Sequence, residues 1–307
     1  MRAALSSALA VAVSMLLGCG GSEGASADED FSKLSFEMAA IEVPAGESFT
    51  CVYTDVITDR ELSVIAATGT QQAGGHHLTL YYVDNPREPH SAPCSGSTEM
   101  IDWHFVVGAG GEGNDGAFLD LADGLAIKIP AGKQLLIQAH YINTTGEAMT
   151  ATDTMEIHTV DPSRVKAYAS DFLVFDDSFE IAPNAAEESS MTCLVEEDVQ
   201  LSILLGHMHE QGAHYKLESV DAEGNALETL YEEAWSPAYA SHPPIQRYTM
   251  EDPLVIKAGT RLRQTCKWNN TTPDLLLFPT EMCIGFGYYF PGNSRLMCER
   301  TEEQAAP

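Results

Sequence analysis

Beyond residue 34 the chain alternates apolar and polar residues over short runs with a period of two. The segments SFTCVYTDV, HHLTLYYV, QLLIQAHYI, VQLSILLGHMH, AHYKLESV and MCIGFGYYF are rich in β-branched and aromatic residues. That is the make-up of strands that lay one face on a core. Turn signals separate them: PAGE, PAGK, NTTGE, DAEGN and KAGT supply the Gly, Pro, Asn and Asp that reverse a chain. No long apolar period of 3.6 residues is present; only AAEESSM and the stretch from Glu228 to Trp235 accommodate a turn or two of helix. The pattern predicts an all-β protein of β-sandwich or jelly-roll type. A chain of 307 residues has the length for two domains. The polar, proline-containing stretch DPSRVKA, Asp161 to Ala167, marks the junction, giving domains over 35–162 and 163–302 and a short tail over 303–307. No tandem repeat is visible.

The N-terminus is different. In MRAALSSALAVAVSMLLGCGG one positive charge, Arg2, precedes an apolar run from Ala3 to Leu17. The run is too short for a spanning helix and reads as a signal peptide over 1–18. Its end, Leu16-Leu17-Gly18-Cys19, is similar to a bacterial lipobox, in which the cysteine is lipidated and becomes the first residue. Residues 19–34 then form an acidic, flexible tether. The expectation is an exported protein held to a membrane by its lipid without crossing it. Gly20 is not the aspartate of inner-membrane retention, which favours the outer membrane.

Charge narrows the partners. Asp and Glu outnumber Lys and Arg 45 to 16, for a formal net charge of -29. Such a surface repels phosphate backbones and anionic lipid, which excludes nucleic-acid binding as a main function. Metal cations and neutral or cationic small molecules remain. With Cys19 set aside, Cys51, Cys94, Cys193, Cys266, Cys283 and Cys298 are left. In an oxidising compartment six such thiols favour three disulfides, and the absence of any C-x-x-C pair weakens a zinc-ribbon reading. Their connectivity is left open by spacing alone.

Of ten histidines, five fall in two constellations. His76 and His77 are adjacent behind Gly74-Gly75, and His140 follows in LLIQAHYIN; His207 and His209 form an H-x-H in ILLGHMHEQG. Residues i and i+2 of a strand share a face, so His207 and His209 present two imidazoles side by side, as a metal requires. Adjacent histidines face opposite ways in a regular strand. His76 and His77 can therefore share an ion only at a strand end or twisted edge, where the two glycines give the backbone latitude. His90, His104 and His158 read as surface or hydrogen-bonded side chains. Met282, in TEMCIGFGYYF, taken alone reads as a core methionine. The GAGGEGNDG segment, Gly108 to Gly116, has neither the Lys-Ser/Thr of a P-loop nor the spaced carboxylates of an EF-hand, and reads as a surface loop. No G-x-S-x-G hydrolase motif is present.

Taken in order, GGHHLTLYY, LLIQAHY, LLGHMH and EMCIGFGYYFPG resemble the copper type II, ascorbate-dependent monooxygenases, the family of dopamine β-monooxygenase and peptidylglycine α-hydroxylating monooxygenase. The resemblance runs from about Ser35 to Arg300. It implies two copper ions, one on His76, His77 and His140 and one on His207, His209 and Met282. It also implies the pairings Cys51–Cys94, Cys193–Cys298 and Cys266–Cys283. The implied fold is two tandem jelly-roll β-sandwich domains, each with a copper, facing one another across a solvent-filled cleft. Three imidazoles suit a copper that passes electrons, whereas two imidazoles and a soft thioether favour Cu(I). The family's chemistry accordingly implies that dioxygen is activated at the His207/His209/Met282 copper. The other copper supplies an electron, and one oxygen atom enters a C–H bond of a small organic substrate. Ascorbate or another one-electron reductant restores the ions. One departure bears on substrate: the peptide-amidating members carry an Arg where this chain has Leu205, and the aromatic positions Phe286, Tyr288 and Tyr289 differ too. A glycine-extended peptide is therefore disfavoured and a less polar substrate expected. The competing reading is a non-catalytic copper-binding lipoprotein for storage, delivery or sensing. Two unlike ligand sets, one of them including Met282, argue for the enzyme.

Overall fold

Alternation becomes strand almost everywhere the sequence shows it. The computed structural model describes residues 31–94, 103–111, 120–240, 242–278 and 280–299. The expected leader, the lipidation position Cys19, the tether up to residue 30, residues 112–116 of the glycine-rich loop and the tail lie outside the described residues. The chain begins with β1 (Phe31–Glu37), β2 (Ile41–Val43), β3 (Gly46–Ile57), β4 (Leu62–Thr70), β5 (Gly75–Val83) and β6 (His90–Pro93). It continues through β7 (Trp103–Ala109), β8 (Leu125–Ile129), β9 (Gln134–Asn143), β10 (Met149–Ala151) and β11 (Thr154–Val160). A second series follows: β12 (Ala167–Phe175), β13 (Ala186–Leu194), β14 (Val199–His207), β15 (Gly212–Val220) and β16 (Ala226–Ala234). It ends with β17 (Gln246–Arg247), β18 (Leu254–Ile256), β19 (Arg261–Asn269), β20 (Ile284–Tyr289) and β21 (Leu296–Cys298).

The result is an all-β, jelly-roll-like β-sandwich of several sheets. Each half builds one antiparallel sheet of its own, β6-β3-β9-β5-β7 in the first and β13-β19-β15-β16 in the second. In both, the strand that comes last along the chain, β9 or β19, is inserted between earlier ones. The recurrence reaches side chains. Asn143 Nδ2 donates to the carbonyls of Glu147 (2.8 Å) and Pro44 (3.0 Å), and Asn270 Nδ2 donates likewise to Asp274 (2.8 Å) and Ala182 (2.9 Å).

A third, ten-stranded sheet draws on both halves, in the order β1-β11-β4-β8-β12-β20-β14-β17, with β18 on β14 and β21 on β12. Its middle is the parallel pairing of β8 with β12, Leu125 opposite Ala167. The connection between halves is a 3-10 turn, Pro162–Arg164, capped by the Asp161 carboxylate at the place the sequence marks as a junction. Sheet and apolar core both continue across it: one cluster runs from Val64, Leu78 and Ile137 to Phe172, Leu204 and Tyr288. Polar ties reinforce the join. Tyr288 donates its hydroxyl to the Val106 carbonyl (2.6 Å), and Arg295 bonds both Asp171 (2.6 Å) and the Trp103 carbonyl (3.0 Å).

Three local expectations are corrected. The tether stops earlier than residue 34, because Leu34 and Phe36 point inward from β1, which pairs with β11 from Phe31 onward. AAEESSM is strand β13 and the Glu228 region is strand β16, not helical turns. Both are the outer strands of the four-stranded sheet. An edge strand exposes a row of unpaired backbone groups, and charged side chains there deter pairing with another chain. The Glu and Ser that read as helix-compatible are this protected edge, while Met191, Cys193 and Tyr231 still turn inward.

All three disulfides pair as the resemblance implies: Cys51–Cys94, Cys193–Cys298 and Cys266–Cys283. They are compatible with an exported protein. No helix among the described residues is long and apolar enough to cross a membrane. The bridges differ in the chain they close, 105 residues for Cys193–Cys298 against 17 for Cys266–Cys283, while all four cysteines are equally buried. Loop-closure entropy then gives about 4.7 kcal/mol for the long loop and about 3 kcal/mol for the short one. Urea unfolding of the two double alanine variants should show the larger loss for Cys193/Cys298. Equal losses would mean the bridges act on something other than the unfolded chain.

Candidate metal centre

The first constellation is assembled by strand register. β3, β9 and β5 lie side by side, with Phe49 opposite His140 and His140 opposite His77. Between Gly75 and His77 the ladder slips by one residue, so His76 is a bulge. A bulge leaves its extra residue unpaired and re-aims it, and here it turns two neighbouring histidines toward one point. Gly74 makes the approach possible. Its φ is +80°, its carbonyl accepts the Ile142 N–H (2.8 Å), and a Cβ there would lie 3.0 Å from the Ile142 oxygen.

The Nδ1 atoms of His76 and His77 are 2.9 Å apart, and the ring nitrogens offered by His76, His77 and His140 all lie within 4.8 Å of one another. His140 is wholly buried, with Phe49 stacked on it at 3.9 Å. Its Nε2–H donates to Glu47 Oε1 at 2.9 Å, which puts the lone pair on Nδ1, and that buried atom has no partner among the described residues. Burial pushes His76 down to about 3, with the charges of His209 and His242 adding to the effect. Burial likewise holds His77 and His140 well below the usual imidazole range, with neighbouring histidines contributing. Three neutral imidazoles, two nitrogens facing each other and one orphaned lone pair form a donor set that fits a cation.

The second constellation sits where β14 ends. His207 is the last strand residue, and alternation continues one step further: Met208 is buried in the core and His209 returns to the face of His207. The two rings are 5.2 Å apart at 81°. His209 Nδ1–H donates to the Thr280 carbonyl (2.9 Å), leaving Nε2 as the lone-pair atom. The buried Glu281 carboxylate accepts three N–H groups, from the His209 backbone (3.1 Å), the Gln211 backbone (2.7 Å) and the Trp268 indole (3.1 Å). Burial raises Glu281 above the usual carboxylate range, against the lowering influence of His209. Met282, partly buried, lies between Glu281 and Cys283, and the pairing of Ile284 with His207 brings this segment to the end of β14. Behind it Gly206 and Gly285 are cross-strand partners under Tyr215; a Cβ on either would come within 2.3 or 2.6 Å of that side chain.

The two constellations meet. The His140 and His209 rings are 6.1 Å apart, and Glu47 Oε1 is 3.9 Å from His209 Nδ1. The resemblance implies sites on opposite walls of a solvent-filled cleft; in this structure the shared sheet and the ties at Tyr288 and Arg295 hold the two sets in one cluster. Burial, followed by His209, His76 and His140, keeps His207 well below the usual range. Beside it Leu205 and Phe286 are buried cross-strand partners, with Phe105 edge-on to Phe286 at 5.0 Å.

Sequence reasoning missed three residues here. Glu47 and Glu281 look like ordinary turn acids, and only long-range register brings them to the histidines. His242 lies against Gly111, its ring 3.7 Å from where a Cβ would be. The remaining histidines are elsewhere: His104 pairs with Asp84, His158 with Glu156 and His214 with Glu232, each at 3.0 Å, and His90 stacks on Tyr53.

No protein-family model matches the chain, and no curated protein matches it. Among solved structures it is similar to PNGase F, a glycosylasparaginase from Flavobacterium meningosepticum, over 86% of this chain and 97% of that one, with 9% identity and a TM-score of 0.39. A structure of Sulfolobus Turreted Icosahedral Virus aligns over 85% and 90%, with 8% identity and a TM-score of 0.33. At such scores the likeness carries no argument about activity.

The depressed histidines make metal-free stability depend on pH. Their folded values lie below the unfolded one of about 6.5, so below that pH the unfolded chain takes up protons the folded chain refuses. Their contribution is fully present above about pH 6.5 and is lost as pH falls toward the folded value, about 3 for His76. For His76 the loss at pH 5 is about 2 kcal/mol. Desolvation raises Glu47, half-sheltered at its carboxylate, and the buried Asp153 and Glu281, which run the other way. A comparison with His76→Asn cancels them. Thermal unfolding without metal at about pH 7.5 and 5 should show a smaller acid-induced fall for the variant.

Proposed function

We propose that this chain is an exported, lipid-anchored copper monooxygenase of the type II, ascorbate-dependent kind, which hydroxylates a C–H bond of a small organic molecule. The observation that carries the proposal is the convergence of His76, His77 and His140, with the His207/His209 pair beside them. Both sets occur in the order and flanking sequence of that family. The three disulfides support the same reading, as does the recurrence of strand order, which favours two tandem jelly-roll domains, 35–162 and 163–302.

Copper would supply one-electron redox chemistry and the activation of dioxygen. The chain supplies the rest. His76, His77 and His140 would hold the electron-transfer ion; His207, His209 and Met282 would hold the one that meets dioxygen, the thioether favouring the reduced state. Thr280 and Glu281 orient His209, fixing the tautomer that leaves Nε2 free. Leu205, paired with Phe286 and packed near Phe105, puts apolar side chains beside His207 and offers no guanidinium to grip a carboxylate. That favours a neutral or weakly polar substrate. Per turnover, substrate, dioxygen, two electrons and two protons give the hydroxylated product and water, with ascorbate or another one-electron donor as reductant. Cys19 would carry the lipid, on the outer membrane.

Metal analysis of the full, oxidised chain should find two coppers, falling to one in a His207→Ala/His209→Ala variant. X-ray absorption of the reduced protein should show a sulfur ligand that Met282→Ala removes. Ascorbate-driven oxygen uptake should rise with substrate and exceed that of equal free copper. One copper or none would sink the two-ion mechanism; two coppers with no substrate-dependent turnover would move the function to copper storage, delivery or sensing.

A further inference from the structure

Neither ligand set includes the carboxylate that touches both. Glu47 opens β3, directly after Gly46, and its side chain remains about one-third exposed while its Oε1 reaches inward. That oxygen accepts the His140 Nε2–H at 2.9 Å and lies 3.9 Å from His209 Nδ1. The two histidines belong to different halves of the chain, on β9 and just beyond β14. His140 has no freedom to choose another arrangement: it is fully buried, stacked on Phe49, and Nε2 is committed to Glu47, so Nδ1 is the only lone pair it can present. His209 is similarly committed, its Nδ1–H directed to Thr280.

We infer that Glu47 is a positioning residue shared by the two histidine sets, a single anionic group that sets the tautomer of His140 and couples it electrostatically to His209. The inference rests on the copper reading above and deepens it. A carboxylate accepting the far N–H of a ligating imidazole fixes its ring and makes its other nitrogen more basic; loss of such a partner commonly costs 10–100-fold in metal affinity. Because the same oxygen lies beside His209, its charge acts on both ions, which a residue serving one site alone would not do.

The test uses the full, disulfide-intact chain and copper ions as the probe. Glu47→Gln removes the charge with little change of shape. It is placed in two backgrounds, His207→Ala/His209→Ala to isolate the first set and His76→Ala/His77→Ala to isolate the second. Copper(II) affinity by competition with a chelator and the copper hyperfine splitting by electron paramagnetic resonance are read in each. The expected result is a loss of at least about tenfold in affinity with an altered hyperfine splitting in the first background. A smaller shift of the same sign is expected in the second. Glu47→Asp, which keeps the charge on a shorter arm, should recover part of both. Unchanged affinity and spectra for Glu47→Gln in the first background would overturn the inference while leaving the copper reading intact. A change confined to the first background would overturn the sharing between sets. Failure of the unsubstituted chain to bind copper at these histidines would overturn both, and the parent titration alone identifies that outcome.

Discussion

Burying several imidazoles close together is the constraint on which the rest of this structure depends. Each ring nitrogen taken from water needs a hydrogen-bond partner or it costs free energy, and each proton taken up there would add an uncompensated charge. The protein resolves this asymmetrically. The Nε2–H of His140 and the Nδ1–H of His209 are given to a carboxylate and a carbonyl. The Nδ1 atoms of His76 and His77 are left to one another, and His140 Nδ1 to nothing among the described residues. Two imidazole nitrogens 2.9 Å apart beside a buried lone pair with no partner among the described residues are unfavourable as mere packing and sensible as a place for cations.

The scaffold serves that arrangement at some distance. β14 and β20 can carry His207 past the core because Gly206 and Gly285 leave room for Tyr215, whose hydroxyl donates to Gln264, which in turn bonds the Cys283 carbonyl. The same Cys283 is bridged to Cys266 on β19, so the segment bearing Glu281 and Met282 is fixed to both sheets of the second half. In the first half the register of three antiparallel strands does the equivalent task. The ten-stranded sheet then holds the two results together.

Much of this was legible in the sequence because strand periodicity is local. The strands, the turns and the pairing of His207 with His209 all follow from residues a few positions apart. Where local reasoning failed, the physics was long-range. β13 and β16 read as helix-compatible because edge strands carry their polarity for a reason visible only in the assembled sheet. Glu47 reads as a turn acid because its partner is ninety-three positions away. The closeness of the two histidine sets depends on the β8–β12 pairing, which nothing in either segment announces. The recurrent strand order of the two smaller sheets has a local counterpart. Asn143-Thr144-Thr145 and Asn270-Thr271-Thr272 are the same tripeptide after corresponding strands, and in each the Asn side chain accepts from the second Thr.

The bulge at His76 has an evolutionary corollary. In a regular strand, losing one residue turns every later side chain to the wrong face and takes the core with it. Here the ladder already holds one residue too many, so deletion of His76 alone would let Gly75 and His77 keep their partners in ordinary pairing, with Leu78 and Leu80 still facing inward. The three-histidine arrangement at this place can thus be lost, or acquired, by a change of one residue in length that leaves the strand pairing intact. A sandwich of this kind can therefore gain or lose a histidine cluster without passing through an unfolded intermediate form.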